Sequence, residues 1–305
     1  MFECTLPNGE LFKKIVAALS DLVEQGNFMV DSNMISFQGM DSSHVSLVAL
    51  QLTECGFEGY RCDSDQCLGI QFSSLNKILK CMTSKDSLSI QHHDDGDIIN
   101  FIFESNDQKR FSNFELKLND IDQEQLGIPE TEYATTIKMP SNDFQRICRD
   151  LAAIGDTVTI SATKEGVKFS VNGDIGSGDM TIKGLINSGG AAKKAKNNDE
   201  IKVKSENGDN DETQMDEDED EDMKENVGNV DDDDTDHDGK VVINLEESVT
   251  QTFSLRYLNN FTKATGLCDQ VNLRMGQDVP LEVEYRIGDF GSLRYYLAPK
   301  IDDDE

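Results

Sequence analysis

Residues 142–154, NDFQRICRDLAAI, repeat the pattern of residues 11–23, LFKKIVAALSDLV, with Phe144-Gln145-Arg146-Ile147 answering Phe12-Lys13-Lys14-Ile15 at a distance of 132 positions. Residues three, four and seven apart share a helix face, so Phe144, Ile147, Cys148 and Leu151 form an apolar row opposite Arg146 and Arg149. In the earlier segment Leu11, Ile15 and Leu22 lie opposite Lys13 and Lys14. Two more segments follow the same plan. In SLNKILKCM (74–82), Leu75, Ile78 and Leu79 oppose Lys77 and Lys80, and in LRYLNNFTKAT (255–265), Leu255, Leu258 and Phe261 oppose the stripe Arg256, Asn260, Lys263. Helices are expected over 12–23 and 74–82 and again in the second half.

Between the helices the period changes to two, in MISFQGM, VSLVALQL, LSIQ, IINFIFES, FELKLND, ATTIKM, VTISAT, VKFSV, MTIKG, VVINL, VNLRM and LEVEYRI. Turn signals KEG, NGD, GSGD and GDFG separate them. Helix, strands, helix and strands restart near Tyr133, so the chain reads as two copies of one α+β unit, each with two helices on one face of antiparallel sheets. The expected units are 1–118 and 133–301, joined by 119–132 (NDIDQEQLGIPETE), where Pro129 and the acids around it discourage a regular element.

The chain carries a formal charge of −31, of which residues 187–240 supply −13 from 20 acids and 7 bases. SGGAAKKAKNNDE there gives way to MDEDEDEDMKE and VDDDDTDHDG, with too few aromatic or β-branched residues for a core, so a disordered acidic insert is expected at about 187–240. A short acidic tail is expected at 302–305. A protein this acidic that gathers positive charge on helices of one design has built a surface for a polyanion, and duplex nucleic acid is the leading candidate. In these rows the acids that a merely solvated face would mix in are expected to be largely missing.

No secretory leader opens the sequence and no run of about 18 apolar residues interrupts it, so a soluble, intracellular protein with no membrane contact is expected. Its cysteines, Cys4, Cys55, Cys62, Cys67, Cys81, Cys148 and Cys268, are odd in number and contain no C-x-x-C pair, which points to free thiols. Catalytic motifs are missing: there is no Gly-rich phosphate loop and no Gly-x-Ser-x-Gly. No cofactor, catalytic residue or metal site is expected. His92-His93 reads as a solvated hairpin turn, and His237 lies in the acidic run. Asp234, Asp236, Asp238 and Gly239 start a calcium-loop pattern, but Leu245 stands at its twelfth position, with Glu246 one residue late.

Longer blocks carry a resemblance. MDSSHVSLV (40–48), YRCD (60–63), KILKC, QLGIPE (125–130), KMPSNDFQRICRDL, EGVKFS, LRYLNNFTKAT, DVPLEVEY and YYLAPKI (295–301) together resemble the eukaryotic sliding clamps of the proliferating cell nuclear antigen family. The resemblance covers 1–185 and 241–301. It implies the DNA clamp fold, a homotrimeric ring of six similar domains with helices toward a central hole. Lys13, Lys14, Lys77, Lys80, Arg146, Arg149, Arg256 and Lys263 would then face the phosphates of an encircled double-stranded DNA, contacts that carry little sequence information. Ser20 departs from the family, which often has a lysine there.

The resemblance also implies that the ring closes through strands 111–118 and 178–184, with Phe114, Leu116, Met180 and Ile182 as apolar contacts. It places a docking pocket for short client segments at Met40, His44, Val45, Leu47, Leu126, Gly127, Ile128, Pro129, Pro280, Tyr296, Ala298, Pro299 and Ile301. Lys164, in TKEGVKF, matches a position that receives ubiquitin-like modifiers; an ordinary exposed turn lysine is the other reading. The implied function is that of a nuclear processivity factor for replicative DNA polymerase and a platform for replication and repair proteins, placed on DNA by a clamp loader. A subunit of a heterotrimeric checkpoint-type clamp and an acidic histone-chaperone-like protein are the alternatives. QLGIPE and LAPKI argue against the first, and the four basic helix faces against the second. The insert reads either as an interaction tail for basic partners, with AAKKAK as an import signal, or as a tolerated loop insertion.

Overall fold

Alternation in sequence becomes alternation of burial along most strands of the computed structural model, which describes residues 1–94, 96–122, 126–127, 131–188 and 240–300. The first half runs β1 (Phe2–Leu6), α1 (Gly9–Ser20), β2 (Gln25–Val30), β3 (Met34–Met40), β4 (Ser46–Thr53), β5 (Gly59–Cys62), β6 (Gln66–Gln71), α2 (Phe72–Leu79), β7 (Asp86–His92), β8 (Ile98–Ser105) and β9 (Phe111–Lys117). The second runs β10 (Thr135–Pro140), α3 (Ser141–Ala152), β11 (Thr157–Thr163), β12 (Gly166–Gly173), β13 (Gly176–Ile182), β14 (Leu185–Ser188), β15 (Val242–Leu245), β16 (Val249–Ser254), α4 (Leu255–Phe261), β17 (Gln270–Met275), β18 (Leu281–Ile287) and β19 (Gly291–Leu297). No described helix is long and apolar enough to cross a membrane.

Apart from β14, the described strands of the two halves correspond one to one. As β2 pairs with β3 and β6, so β11 pairs with β12 and β16. As β1 pairs with β5 and β7, so β10 pairs with β15 and β17. The run β7-β8-β9 recurs as β17-β18-β19, and β3-β4 as β12-β13. The α+β reading with two similar units therefore holds. One pairing joins the halves: β19 lies antiparallel to β4, with Tyr295 opposite Val48 and Leu293 opposite Leu50, which makes a single ten-stranded sheet of β14-β15-β10-β17-β18-β19-β4-β3-β2-β6. At its far end β14 and β15 run parallel, Leu185 opposite Val242 and Ser188 opposite Leu245. The first two residues of the expected insert, Asn187 and Ser188, thus belong to a strand. The remainder up to Gly239, and the tail at 302–305, lie outside the described residues.

Each helix buries an apolar row: Phe12, Ile15, Val16 and Leu19 in α1, where of the expected Leu11, Ile15 and Leu22 only Ile15 is fully buried; Phe72, Leu75 and Leu79 in α2, with the expected Ile78 half-buried; and, as expected, Phe144, Ile147, Cys148 and Leu151 in α3 and Leu255, Leu258 and Phe261 in α4. At about 1.5–3 kcal/mol for each large side chain taken out of water, these rows hold the helices to the sheets. Phe261 stacks on Tyr295 of β19, ring centroids 4.5 Å apart. Helix α1 starts at Gly9, earlier than its apolar period suggests, because the Asn8 side chain accepts from the Glu10 amide at 3.0 Å, a cap four residues ahead of Phe12. It stops at Ser20, where the Leu22 and Val23 amides both turn back to the Leu19 carbonyl. The expected turn GSGD is instead the start of β13, opposite β12; the reversal falls at Asp174-Ile175.

The β4–β19 seam leaves no room at its lower end. Gly291 has φ +152°, and a Cβ there would stand 1.9 Å from the Gln51 carbonyl oxygen. Gly291→Ala is expected to lower stability by roughly 1–3 kcal/mol, read as a fall in the denaturant midpoint with an unchanged slope.

Candidate nucleic-acid interface and docking groove

The basic residues lie on the side of the helices turned away from the sheets. Lys14, Lys77, Lys80, Arg146, Arg149, Arg256 and Lys263 are exposed and Lys13 is partly so. Helix α1 packs on α2 and on the 3₁₀ turn Thr262–Leu267 that follows α4, and α3 packs on α4 and the same turn. The four segments therefore make one continuous layer. Lys14 crosses it, donating from Nζ to the Gly266 carbonyl at 3.1 Å. Lys263 sits in the 3₁₀ turn rather than on a helical stripe with Arg256 and Asn260, since α4 ends at Phe261.

The expected absence of acids from these rows does not hold. Lys13 lies 3.8 Å from Glu10, Arg146 3.1 Å from Asp143, Arg149 3.0 Å from Asp150 and Lys263 3.7 Å from Asp21. Helical spacing explains the first two, which are i,i+3 pairs; the pairing of Lys263 with the end of α1 was not visible in either segment alone. Such exposed pairs are worth less than about 1 kcal/mol and open readily to a phosphate. Among the described residues no carboxylate pairs with Lys77, Lys80 or Arg256. Ser20, where a further charge was missed, donates to the Ala17 carbonyl at 3.0 Å.

The other face of the long sheet carries the docking candidates. Met40 pairs with Leu47, Leu47 with Tyr296 and Tyr296 with Glu282, so these side chains form one cross-strand row on the face opposite Tyr295 and the helices. The Ala298 amide donates to the Val45 carbonyl at 3.1 Å, which brings the chain after β19 beside the loop before β4. A groove of about 770 Å³ includes Leu126, Gly127 and Tyr296 in its lining. It runs away from Met40, His44, Val45, Leu47, Pro280, Ala298 and Pro299, across the sheet toward Met29 and Tyr133, so the expected pocket divides between the groove and an open rim. Ile128, Pro129 and Ile301 lie outside the described residues.

Two features here were not read from sequence. Arg274 bridges the buried carboxylates of Glu282 and Glu284, the latter at 2.6 Å, and Arg294 meets Glu284 at 3.1 Å. Burial pushes the Glu284 carboxyl up, but Arg274, Asn272 and the other arginines outweigh it and hold the group below its ordinary value. The second feature is Asp41, only 7% exposed at the end of β3. Its Oδ1 accepts from the amides of Val45 (2.9 Å) and Ser46 (2.7 Å), and its Oδ2 from the Ser43 amide (3.0 Å) and the Tyr257 hydroxyl (2.9 Å). Burial raises this carboxyl too, yet those donors bring it below the usual carboxylate range. The alternation of charge in RMGQDVPLEVEYRI could have hinted at the first cluster; nothing local signals the tie between Asp41 and Tyr257.

Strands β9 and β13 are each the last strand of a sheet among the described residues. Phe114, Leu116, Met180 and Ile182 are half-buried against the core, with Phe114 at 5.3 Å from the Phe103 ring. The most exposed apolar side chains nearby are ones the sequence reading passed over, Phe111 at 67% and Ile175 at 78%. Lys164 is exposed in the turn between β11 and β12. His92 corrects the expectation of a solvated turn: it is buried in β7, its Nδ1 2.8 Å from Gln66 Oε1 and its Nε2 2.9 Å from the Gly96 carbonyl. Asp234, Asp236 and Asp238 of the calcium-like run lie outside the described residues. The family models for the N-terminal and C-terminal domains of proliferating cell nuclear antigen match residues 1–126, and residues 127–207 with 223–300.

Proposed function

Because the chain belongs to the proliferating cell nuclear antigen family of non-enzymatic DNA sliding clamps, we propose that three copies close into a ring around duplex DNA. In this reading the ring is a processivity factor for replicative DNA polymerase and a docking platform for replication and repair proteins, set on DNA by a clamp loader in the nucleus. The carrying observation is the β4–β19 seam. In the strand correspondence between the halves, β9 is the counterpart of β19 and β13 the counterpart of β4. The seam that joins the halves inside one chain is thus available, once more, between the free β9 of one copy and the free β13 of the next. Strand neighbours fix the register: Phe101–Phe114 corresponds to Val283–Tyr295, and Phe37–Leu50 to Phe169–Met180. Transferred outward, Tyr295 opposite Val48 becomes Phe114 opposite Gly178, and Leu293 opposite Leu50 becomes Ser112 opposite Met180. Such a head-to-tail contact builds a ring when its rotation closes, and here closure at three copies is proposed. Both complementary edges reside in one chain, which favours a homotrimer over a heterotrimeric checkpoint-type clamp. Light scattering across a dilution series tests this: a stable mass of about three times 34.0 kDa is expected, and a monomer at all concentrations would overturn it.

We assign 1–118 and 133–301 as the two clamp domains and 119–132 as their connector. Lys13, Lys14, Lys77, Lys80, Arg146, Arg149, Arg256 and Lys263 are assigned to the duplex, and the Met40–Leu47–Tyr296 row with Val45, Leu126 and Ala298 to client segments. The two lie on opposite faces of one sheet layer, which suits a protein that holds DNA inside and clients outside. Sequence-independent contact with phosphates is salt-dependent, by up to about 0.9 in log–log slope per phosphate neutralised. Lys77→Ala with Lys80→Ala is therefore expected to weaken DNA retention and polymerase stimulation as salt rises, while leaving the assembled mass unchanged. Undiminished stimulation at moderate salt would count against the DNA-facing assignment. Lys164 is assigned as a candidate attachment site for ubiquitin-like modifiers.

A further inference from the structure

The loop between β3 and β4 has no regular structure of its own, yet it carries the rim of the client pocket: Met40 enters it, His44 and Val45 form it, and Leu47 leaves it. One carboxylate shapes it. Besides its four donors above, Asp41 lies within 3.3 Å of the Ser46 hydroxyl, its own amide donates to the Ser46 carbonyl at 3.0 Å, and its carbonyl accepts from the His44 amide at 3.0 Å. The folded-back turn this creates holds His44 at φ 58°, a left-handed conformation uncommon for residues other than glycine. The donor that comes from outside the loop is Tyr257, on α4 in the other half of the chain, between the exposed Arg256 and the buried Leu258. A basic-row helix thus reaches through the layer to the turn that positions the docking rim.

We propose that Asp41 and Tyr257 are positioning residues for client docking: Tyr257 fixes the Asp41 carboxylate, and the carboxylate fixes the backbone of residues 43–46 in the one conformation that presents His44 and Val45 to a client. The inference rests on the client-pocket reading of the preceding section. Neither residue need touch the client. Without the tyrosine hydroxyl, the loop spends less of its time in the competent form, and apparent affinity falls by that fraction. A hydrogen bond to a buried carboxylate is among the stronger kinds, so the effect is expected to be about three- to tenfold for Tyr257→Phe. Asp41→Asn goes further, since an amide keeps an acceptor for Val45 and Ser46 but turns N–H groups toward the Ser43 amide and the tyrosine hydroxyl.

The test measures, by fluorescence anisotropy, binding of a synthetic peptide of the kind that the family resemblance implies as a client, one helical turn with a glutamine and aromatic plugs. The full-length wild type, Tyr257→Phe, Asp41→Asn and the double variant are compared, with hydrogen exchange at the Ser43, Val45 and Ser46 amides followed alongside. The expected result is weaker binding by Tyr257→Phe, weaker still by Asp41→Asn, and a double variant no worse than Asp41→Asn, because both changes act on one carboxylate. Exchange should quicken at those amides and not throughout the chain, which separates a local loosening from a failure to fold. Wild-type affinity in Tyr257→Phe, or losses that multiply in the double variant, would overturn the inference and leave the pocket reading intact. A wild-type protein that does not bind the peptide would instead remove the pocket reading, and the inference with it.

Discussion

Met180→Asp is expected to leave the protein monomeric, its light-scattering mass falling from about three times 34.0 kDa to one. In the transferred register Met180 stands opposite Ser112 of the next copy, at the middle of the β9–β13 seam. A carboxylate there meets no base in the register and must lose its water when the edges pair. Breaking the match at a buried position with one unpaired charge costs about 3 kcal/mol or more per seam. That is about two orders of magnitude in the association constant of each of three seams. Met180→Leu keeps the shape and is expected to assemble normally, so the pair separates charge from a general sensitivity of β13. Polymerase stimulation should vanish with assembly, since an open chain cannot be topologically held on DNA. A trimeric Met180→Asp would direct attention away from β13 and toward a ring closed by other edges.

Glu284→Ala carries the largest stability loss expected within a single chain. The Glu284 side chain is fully buried, with Arg274 at 2.6 Å, Arg294 at 3.1 Å and Asn272 donating at 3.2 Å. Its removal strands guanidinium groups that other carboxylates can only partly satisfy, at a cost of roughly 3–5 kcal/mol. Chemical unfolding at fixed protein concentration reads this directly, and a loss below about 1 kcal/mol would mean that Glu282 takes over the pairing. The same carboxylate leaves a mark in acid. Its folded value lies below its ordinary one, so it stabilises the fold above the unfolded carboxyl's pKa of about 4.3, and that contribution fades as pH falls through the lower folded value. Glu284→Gln should consequently show a shallower loss of stability below about pH 4.3 than the wild type.

Helical rows were the most legible part of the sequence. Phe144, Ile147, Cys148 and Leu151 could be assigned to a core because their spacing allows nothing else, and the whole repeat follows from recognising that row twice. Strands whose alternation is interrupted were missed. β2 (QGNFMV) and β6 (QCLGIQ) each contain a glycine, and β1 precedes the first helix with too few residues to display a period. The β4–β19 seam was not legible either, because β4 and β19 are ordinary amphipathic strands and nothing local says which edges meet. Charge proved the least legible of all. Glu10, Asp143 and Asp150 stand one or three positions from the bases they meet and were open to reading, whereas the approach of Asp21 to Lys263 depends on the packing of α1 against the turn after α4. That Asp41 would serve Tyr257 depends on residues 216 positions apart.

The parallel pairing of β14 and β15 constrains how the acidic stretch can be studied. Two strands that run the same way cannot be joined by a hairpin: the chain that leaves Ser188 must travel back the length of β14 before it can enter β15 at Val242. Such return crossings take about a dozen residues or more. Removing residues 190–238 outright would leave Gly189, Gly239, Lys240 and Val241 to make the journey, and β14 would have to abandon its partner, uncovering the edge of β15. A deletion that retains about a dozen neutral residues between Ser188 and Val242 tests the charge alone, whereas the shorter one also tests the loss of a strand. The parallel pairing therefore sets a minimum chain length between Ser188 and Val242, below which the outermost strand of the long sheet is lost.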